Sequence, residues 1–218
     1  MKIYTTYSPS HDYLYKHYFL SSIGSEFEVN AQKLNEDSNF YQKTYSYGNR
    51  RKLSGQTDPA EHAKVKFWKT GCENNMGQAI VCADVDVQFF GEAVPSLLEE
   101  LGDFDIACQY GGSDGDIPLN GGFLVMKCNE KTLNFLTQID KNFTEDSQYM
   151  INGFKDLCKC KALSDKFFTI GQVLGRAWRG EVTFTIPNPI LVHHAAGTSS
   201  MKQKIKLLDL VRRRIGKR

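Results

Sequence analysis

Apolar and polar positions along the 218-residue chain switch repeatedly between the period of a strand and that of a helix. Runs rich in β-branched and aromatic residues predict strands at KIYTTYS (2–8), FEVNAQKL (27–34), DIACQY (105–110), GGFLVMKC (121–128) and VTFTI (182–186), with one more ending PILVHHAAG (189–197). Helical spacing predicts helices over 11–23, capped by Ser10, and over 94–101, 130–139 and 146–157. Asp58-Pro59 with Glu61 reads as another helix start, Asp58 being the N-cap, and that helix runs to about Gly71. The polar stretch 35–59 sets Tyr41, Tyr45 and Tyr47 among Asn, Ser and Gly and predicts a loop or lid. Strands alternating with helices imply an α/β fold whose mostly parallel central sheet carries helices on both faces.

One run breaks the pattern. AIVCADVDVQFF (79–90) reads as a core strand, yet it carries Asp84 and Asp86 near its end. Residues i and i+2 of a strand point the same way, so the two carboxylates would repel unless water or a cation separates them. In open α/β sheets, ligands collect at the carboxyl ends of strands. A divalent cation held by oxygen ligands explains the pair better than two solvated acids. D-x-D alone is a common pattern and carries little weight.

Composition narrows the class. Hydrophobic residues make up 41% and charged residues 24%, ordinary for a globular protein, and the length suits one domain over 1–200 with a tail at 201–218. No apolar run approaches the ~20 residues of a membrane span, and MKIYTTYSPSHDY turns polar too early for a secretory signal. Six scattered cysteines suit reduced thiols, so a cytoplasmic location is expected. Cys158-Lys159-Cys160 has no second pair, which argues against a zinc site.

The net charge of +2 conceals a split: eight of the 27 basic residues and one acid, Asp209, lie beyond residue 200. Ile205, Leu207, Leu208, Val211 and Ile215 fall at roughly helical spacing there. The segment 201–218 reads as a docked helix with a solvated basic face, or as one seeking a membrane surface or an acidic partner. Nucleic acid is not an expected partner, because no aromatics interleave with the basic residues.

The ordered series VCADVDVQFFGEAVPSLL, DIACQY, PLNGGFLVMKCNEKTLNFL, EDSQYMIN and ILVHHAAGTSSMKQK resembles the nucleotide-diphospho-sugar transferases of the GT-A glycosyltransferase class. The likeness runs from KIYTTYS to about Lys204 and is nearest to small single-domain members, including those of large algal viruses. It implies a Rossmann-like GT-A fold and a UDP-sugar donor, with a carbohydrate or glycoprotein acceptor. In the matching D-x-D, Asp86 would bind the metal directly, and Asp84 would reach both ribose and metal. The late H-x-x-G makes His194 the third ligand and places Gly197 at the donor; two carboxylates with an imidazole favour Mn²⁺ over Mg²⁺. His193 would point to the opposite face. Lys202, slightly further beyond the glycine than the usual lysine, is the pyrophosphate candidate.

The resemblance also sets the Asn120-Gly121-Gly122 turn beside the donor sugar and Thr5, Thr6 and Tyr7 at the nucleotide base, Tyr7 stacking on a pyrimidine. Lys64 or Lys66 would reach the donor. Asp146 and Gln148 are the candidates for the catalytic face, though Ser147 separates them where the family has adjacent Asp-Gln. Asp114 and Asp116 are candidates for sugar hydroxyls, Asp116 also for the catalytic face. The implied activity is sugar transfer to an acceptor hydroxyl, with a lean toward retention. Two other readings stay open: a phosphohydrolase of the haloacid dehalogenase type, which also places D-x-D after an apolar strand, and a non-catalytic sugar-nucleotide-binding module.

Overall fold

The computed structural model describes residues 1–35, 59–111, 119–144 and 147–216. The expected 35–59 loop, apart from its two end residues, and Asp58, Asp114, Asp116 and Asp146 lie outside the described residues.

Among the described residues, nine strands form two sheets: β1 (Lys2–Tyr7), β2 (Glu28–Lys33), β3 (Ala79–Ala83), β4 (Val87–Phe89), β5 (Ile106–Tyr110), β6 (Leu119–Lys127), β7 (Cys160–Ala162), β8 (Phe167–Thr169) and β9 (Val192–His194). The main sheet runs β2-β1-β3-β6-β5-β7, and a smaller one runs β4-β9-β8. In the main sheet every pairing is parallel except the two made by β6, which is antiparallel to β3 and β5. The carboxyl ends of β1, β3 and β5 therefore share one edge with the amino end of β6.

Both faces of this sheet are buried, which is why its strands read as continuous apolar runs. Alternate residues divide between two cores: Ile3, Val81, Ala107 and Val125 on one side, Tyr4, Cys82, Ile106 and Leu124 on the other. The second face is covered by α2 (Pro59–Glu73) through Val65 and Trp68, α4 (Glu130–Lys141) through Phe135 and Ile139, and α5 (Ser147–Phe154) through Met150 and Ile151. The first face takes Leu97 and Leu101 of α3 (Val94–Leu101) and Leu207, Leu208 and Val211 of α7 (Met201–Ile215). It also takes Leu14 of α1 (Asp12–Leu14) and Phe19 of the π-helical stretch Tyr15–Leu20. The C-terminal helix is thus docked, with Lys202, Lys206, Arg212 and Arg213 on its exposed side.

Four local expectations change. AIVCADVDVQFF is two strands in two sheets, and Val85-Asp86 form the turn between them. VTFTI joins no sheet: Phe184 and Ile186 are buried, Val182 is 71% exposed, and prolines 187 and 189 remove two backbone donors just beyond. Asn120-Gly121-Gly122 already belongs to β6, with Asn120 opposite Gln109, and is not a turn. Ser10 caps no α-helix; its Oγ meets Ser8 Oγ and His11 Nδ1, and His11 sits at the cap of α1. The short strands β7 and β8 and the five-residue helix α6 (Ile170–Leu174) were not expected from the pattern.

Candidate functional site

The sheet edge gathers Asp84, Asp86 and His194, whose ligand atoms all lie within 4.8 Å of one another. Asp84 follows β3 directly, and its N–H donates to the Gly122 carbonyl at 2.7 Å, extending the β3–β6 ladder by one bond. The chain then turns, and the Asp86 carbonyl accepts from Ala195 N at 3.0 Å, tying the turn to the end of β9. Hence the carboxylates meet through a turn between two sheets, and not as i and i+2 of one strand.

His194 reaches the pair from β9, with Nε2 3.3 Å from Asp86 Oδ1 and 3.8 Å from Asp84 Oδ2. Its Nδ1 lies 3.1 Å from Gln109 Oε1, while Gln109 Nε2 faces the Phe168 carbonyl at 3.5 Å. That orientation of the amide makes Nδ1 the protonated nitrogen and turns Nε2 toward two carboxylates. A divalent cation between these groups would be met by one nitrogen and two carboxylate oxygens. Gly122 makes room for the ring: a Cβ at that position would lie 1.9 Å from His194 Cε1.

Two lysines neutralise the acids in part. Lys64 Nζ lies 3.0 Å from Asp84 Oδ1 and 2.9 Å from Glu61 Oε2, and the Lys204 ammonium binds Asp86 Oδ2. Ser147 Oγ and N donate to Glu61 Oε2 at 2.5 and 3.3 Å. Burial acts against charge on Asp86, but the Lys204 ammonium and His194 overcome it and hold that carboxyl well below the usual range. Burial dominates at Asp84 and raises it, Lys64 opposing. Lys64 is raised despite burial, because Asp84 and Glu61 flank it. Three carboxylates against two ammonium groups leave a formal charge of −1, so two oxygens and one nitrogen suited to a borderline-hard divalent ion sit in a site that still attracts one.

The remaining candidates divide. Asn120 and Gln148 meet at 3.1 Å beside this cluster, and Asn120 Oδ1 accepts from Gly122 N at 2.7 Å. Thr6 and Tyr7 end β1 at the same edge, but one face of Tyr7 is stacked on Tyr15 at 4.2 Å. Thr5 is fully buried, its hydroxyl unpartnered. Gly197 takes φ +71° after β9, a left-handed conformation that turns the chain toward α7. Lys202 is exposed on α7 and Lys66 on α2, and neither bonds to the cluster; Lys204, not Lys202, is the lysine at Asp86. Lys64 is 4% exposed and enclosed by its two acids. His193 faces away, stacked on Phe168 and bonded to Gln88, and burial lowers it to about 3.

Glu61, Gln109, Ser147 and Lys204 had escaped sequence reasoning. Their signals were slight: Glu61 and Lys64 at i, i+3 on a helix, Gln109 as a polar residue ending an apolar strand, and a second lysine after Lys202.

The sheet order, the lone antiparallel β6 and the D-x-D turn at the sheet edge together define the GT-A glycosyltransferase fold. A glycosyltransferase involved in glycosylating the major capsid of PBCV-1 matches with a TM-score of 0.59 at 10% identity, covering 96% of this chain and 98% of that one. An active-site mutant of LgtC matches with a TM-score of 0.51 at 14% identity, over 97% and 95% of the two chains. The glycosyltransferase GlyE of Streptococcus pneumoniae TIGR4 gives 0.51 at 15% identity; the match covers 76% of this chain but only 45% of GlyE. No protein-family model and no curated protein matches the sequence. The haloacid dehalogenase reading falls with the fold. Among the described residues, no helix is long and apolar enough to cross a membrane.

Proposed function

We propose that the chain is a divalent-metal-dependent glycosyltransferase that moves a hexose from a UDP-sugar to an acceptor hydroxyl with retention at the anomeric carbon. The observation that carries this reading is the Asp84–Asp86–His194 cluster at the ligand-binding edge of a GT-A fold. Asp84, Asp86 and His194 would hold Mn²⁺ or Mg²⁺, which supplies stabilisation of the charge that builds on the departing diphosphate. Gln109 keeps the His194 proton on Nδ1, and Lys204 stands beside Asp86 with an ammonium group to offer the diphosphate. Asn120 and Gln148 present amides on the side where the donor sugar would lie, and Thr6 and Tyr7 line the base end. Asp146, Asp114 and Asp116 remain candidates for the sugar and the catalytic face. The basic side of α7 suits a peripheral membrane or an acidic partner, and a cytoplasmic location fits the reduced cysteines.

The test is a panel of nucleotide sugars with Mn²⁺, reading nucleoside diphosphate release by slow hydrolysis and the anomer first released by NMR. UDP release from one sugar nucleotide, lost in Asp86→Ala and on chelation, is the expected result. Tight UDP-sugar binding with neither transfer nor hydrolysis would identify a binding module instead.

A further inference from the structure

Four of the six cysteines, Cys72, Cys82, Cys108 and Cys128, are fully enclosed, at 1% exposure or less. The other two are not. Cys158 and Cys160 are half-buried, and their sulfurs stand 3.4 Å apart. They flank Lys159, whose backbone is held at three points: its N–H donates to Asp105 Oδ2 at 2.9 Å, and its carbonyl accepts from Asp105 N and Ile106 N at 2.9 and 3.1 Å. Fixing the middle residue leaves both thiols on one side of an extended segment, Cys158 having φ −149° and ψ 166°. Lys155, Asp156, Leu157 and Lys159 around them are exposed, so a small oxidant has access.

Topology leaves this segment free to adjust. β7 is a three-residue strand at the edge of the main sheet and, among the described residues, pairs only with β5. A disulfide needs sulfurs about 2.05 Å apart, and a one-sided edge strand can supply the remaining approach without disturbing a second neighbour.

We propose that Cys158 and Cys160 form a reversible thiol–disulfide site that exchanges with low-molecular-weight disulfides such as glutathione disulfide. The Cys160 thiolate attacks one sulfur of glutathione disulfide and expels one glutathione thiolate, leaving a mixed disulfide. Cys158 then gives up its proton and attacks Cys160 Sγ, which releases the second glutathione. The protein loses two hydrogens and one glutathione disulfide becomes two glutathiones. The 3.4 Å contact lets either thiol donate to the other sulfur; with Cys158 as the donor, its hydrogen bond lowers Cys160 and makes it the attacking thiolate, while Cys158 is pushed up. The Asp105 carboxylate opposes thiolate formation at both.

The test uses the full chain, folded, in glutathione/glutathione disulfide buffers, followed by acid quench and mass spectrometry. Trypsin cleaves after Lys155, Lys159 and Lys161, so the disulfide holds peptides 156–159 and 160–161 together as one species. The expected result is a loss of two hydrogen masses reversed by dithiothreitol, that linked species in the digest, and its absence from Cys158→Ser and Cys160→Ser. Cys158→Ser should stop at one stable glutathione adduct. A wild-type chain that loses no hydrogens, or that accumulates glutathione adducts without closing the link, overturns the inference. So does a two-hydrogen loss that survives in Cys158→Ser, since it would then belong to Cys72 and Cys128, which touch in the core.

Discussion

Replacing Gly122 with alanine tests the geometry of the candidate cation site at its tightest point. An ideal Cβ there would lie 1.9 Å from His194 Cε1 and 2.7 Å from both ring nitrogens. Carbon atoms in contact sit about 3.5–4.0 Å apart, so the ring must withdraw by roughly 1.5–2 Å. The hydrogen bond to Gln109 is 3.1 Å and the approach to Asp86 Oδ1 is 3.3 Å. Neither survives such a shift, because these contacts fade beyond about 3.5 Å. Overpacking of this kind costs about 1–3 kcal/mol, and losing a ligand's orientation costs about 10–100-fold in metal affinity. The assay is urea unfolding of wild type, Gly122→Ala, His194→Ala and the double variant, with Mn²⁺ binding followed by electron paramagnetic resonance. In the His194→Ala background the collision is gone, so the alanine at 122 should cost less than about 1 kcal/mol, a coupling of the size neighbours show. Wild-type Mn²⁺ affinity in Gly122→Ala, or an equal cost in both backgrounds, would refute the reasoning.

Two further predictions follow from charge. Lys204→Met removes the ammonium that competes for Asp86; Mn²⁺ should bind the nucleotide-free protein about fivefold tighter, the pair being discounted to about 1 kcal/mol because the lysine side chain is 26% exposed although the carboxylate is buried, while UDP binds more weakly. Isothermal titration checks both, and weaker Mn²⁺ binding without nucleotide would count against the competition. His193 is held neutral down to about pH 3 by burial, whereas an unfolded histidine takes its proton near 6.5. Its contribution is therefore complete above pH 6.5 and drains away as the pH falls toward 3, by about 1.4 kcal/mol per unit. Urea midpoints between pH 7 and 5 should fall more steeply for wild type than for His193→Phe; parallel slopes would show that His193 does not titrate on unfolding.

Long apolar strands and amphipathic helices were legible in the chain because burial on both sheet faces writes them as unbroken runs. The three-residue strands were not: CKA and FFT carry too few positions for any period, and they are fixed by pairing with β5 and β9. VTFTI alternates as a strand does, yet its alternation records packing of Phe184 and Ile186 on the core and no ladder. At the site, Asp84 and Asp86 could be picked out by residue type and spacing, and His194 through the resemblance carried by its H-x-x-G. Gln109 and Glu61 could not, since each acts through a partner 85 or 86 positions away. Lys204 meets Asp86 while Lys202, one residue into α7, is exposed.

Enclosure of Lys64 alters what that residue can do. A buried ammonium costs several kcal/mol unless paired and hydrogen-bonded, and here Asp84, Glu61 and the face of Trp68 at 5.3 Å meet that requirement. Residues 61, 64 and 68 occupy one side of α2, where i, i+3 and i+4 neighbours converge. Lys64 is therefore engaged in fixing Asp84, and a donor that drew it away would leave two carboxylates uncompensated. The Glu61 carboxylate extends the same chain to Ser147, the first residue of α5. Gly121 permits that approach, since a Cβ there would fall 2.9 Å from Ser147 Oγ. Gln148 follows Ser147 directly and bonds to Asn120 across the β6 start. The carboxylate cluster and the Asn120–Gln148 amide pair are thus referenced to each other through Asp84, Lys64, Glu61 and Ser147, and the two glycines at 121 and 122 each admit one partner: Ser147 at the first and His194 at the second.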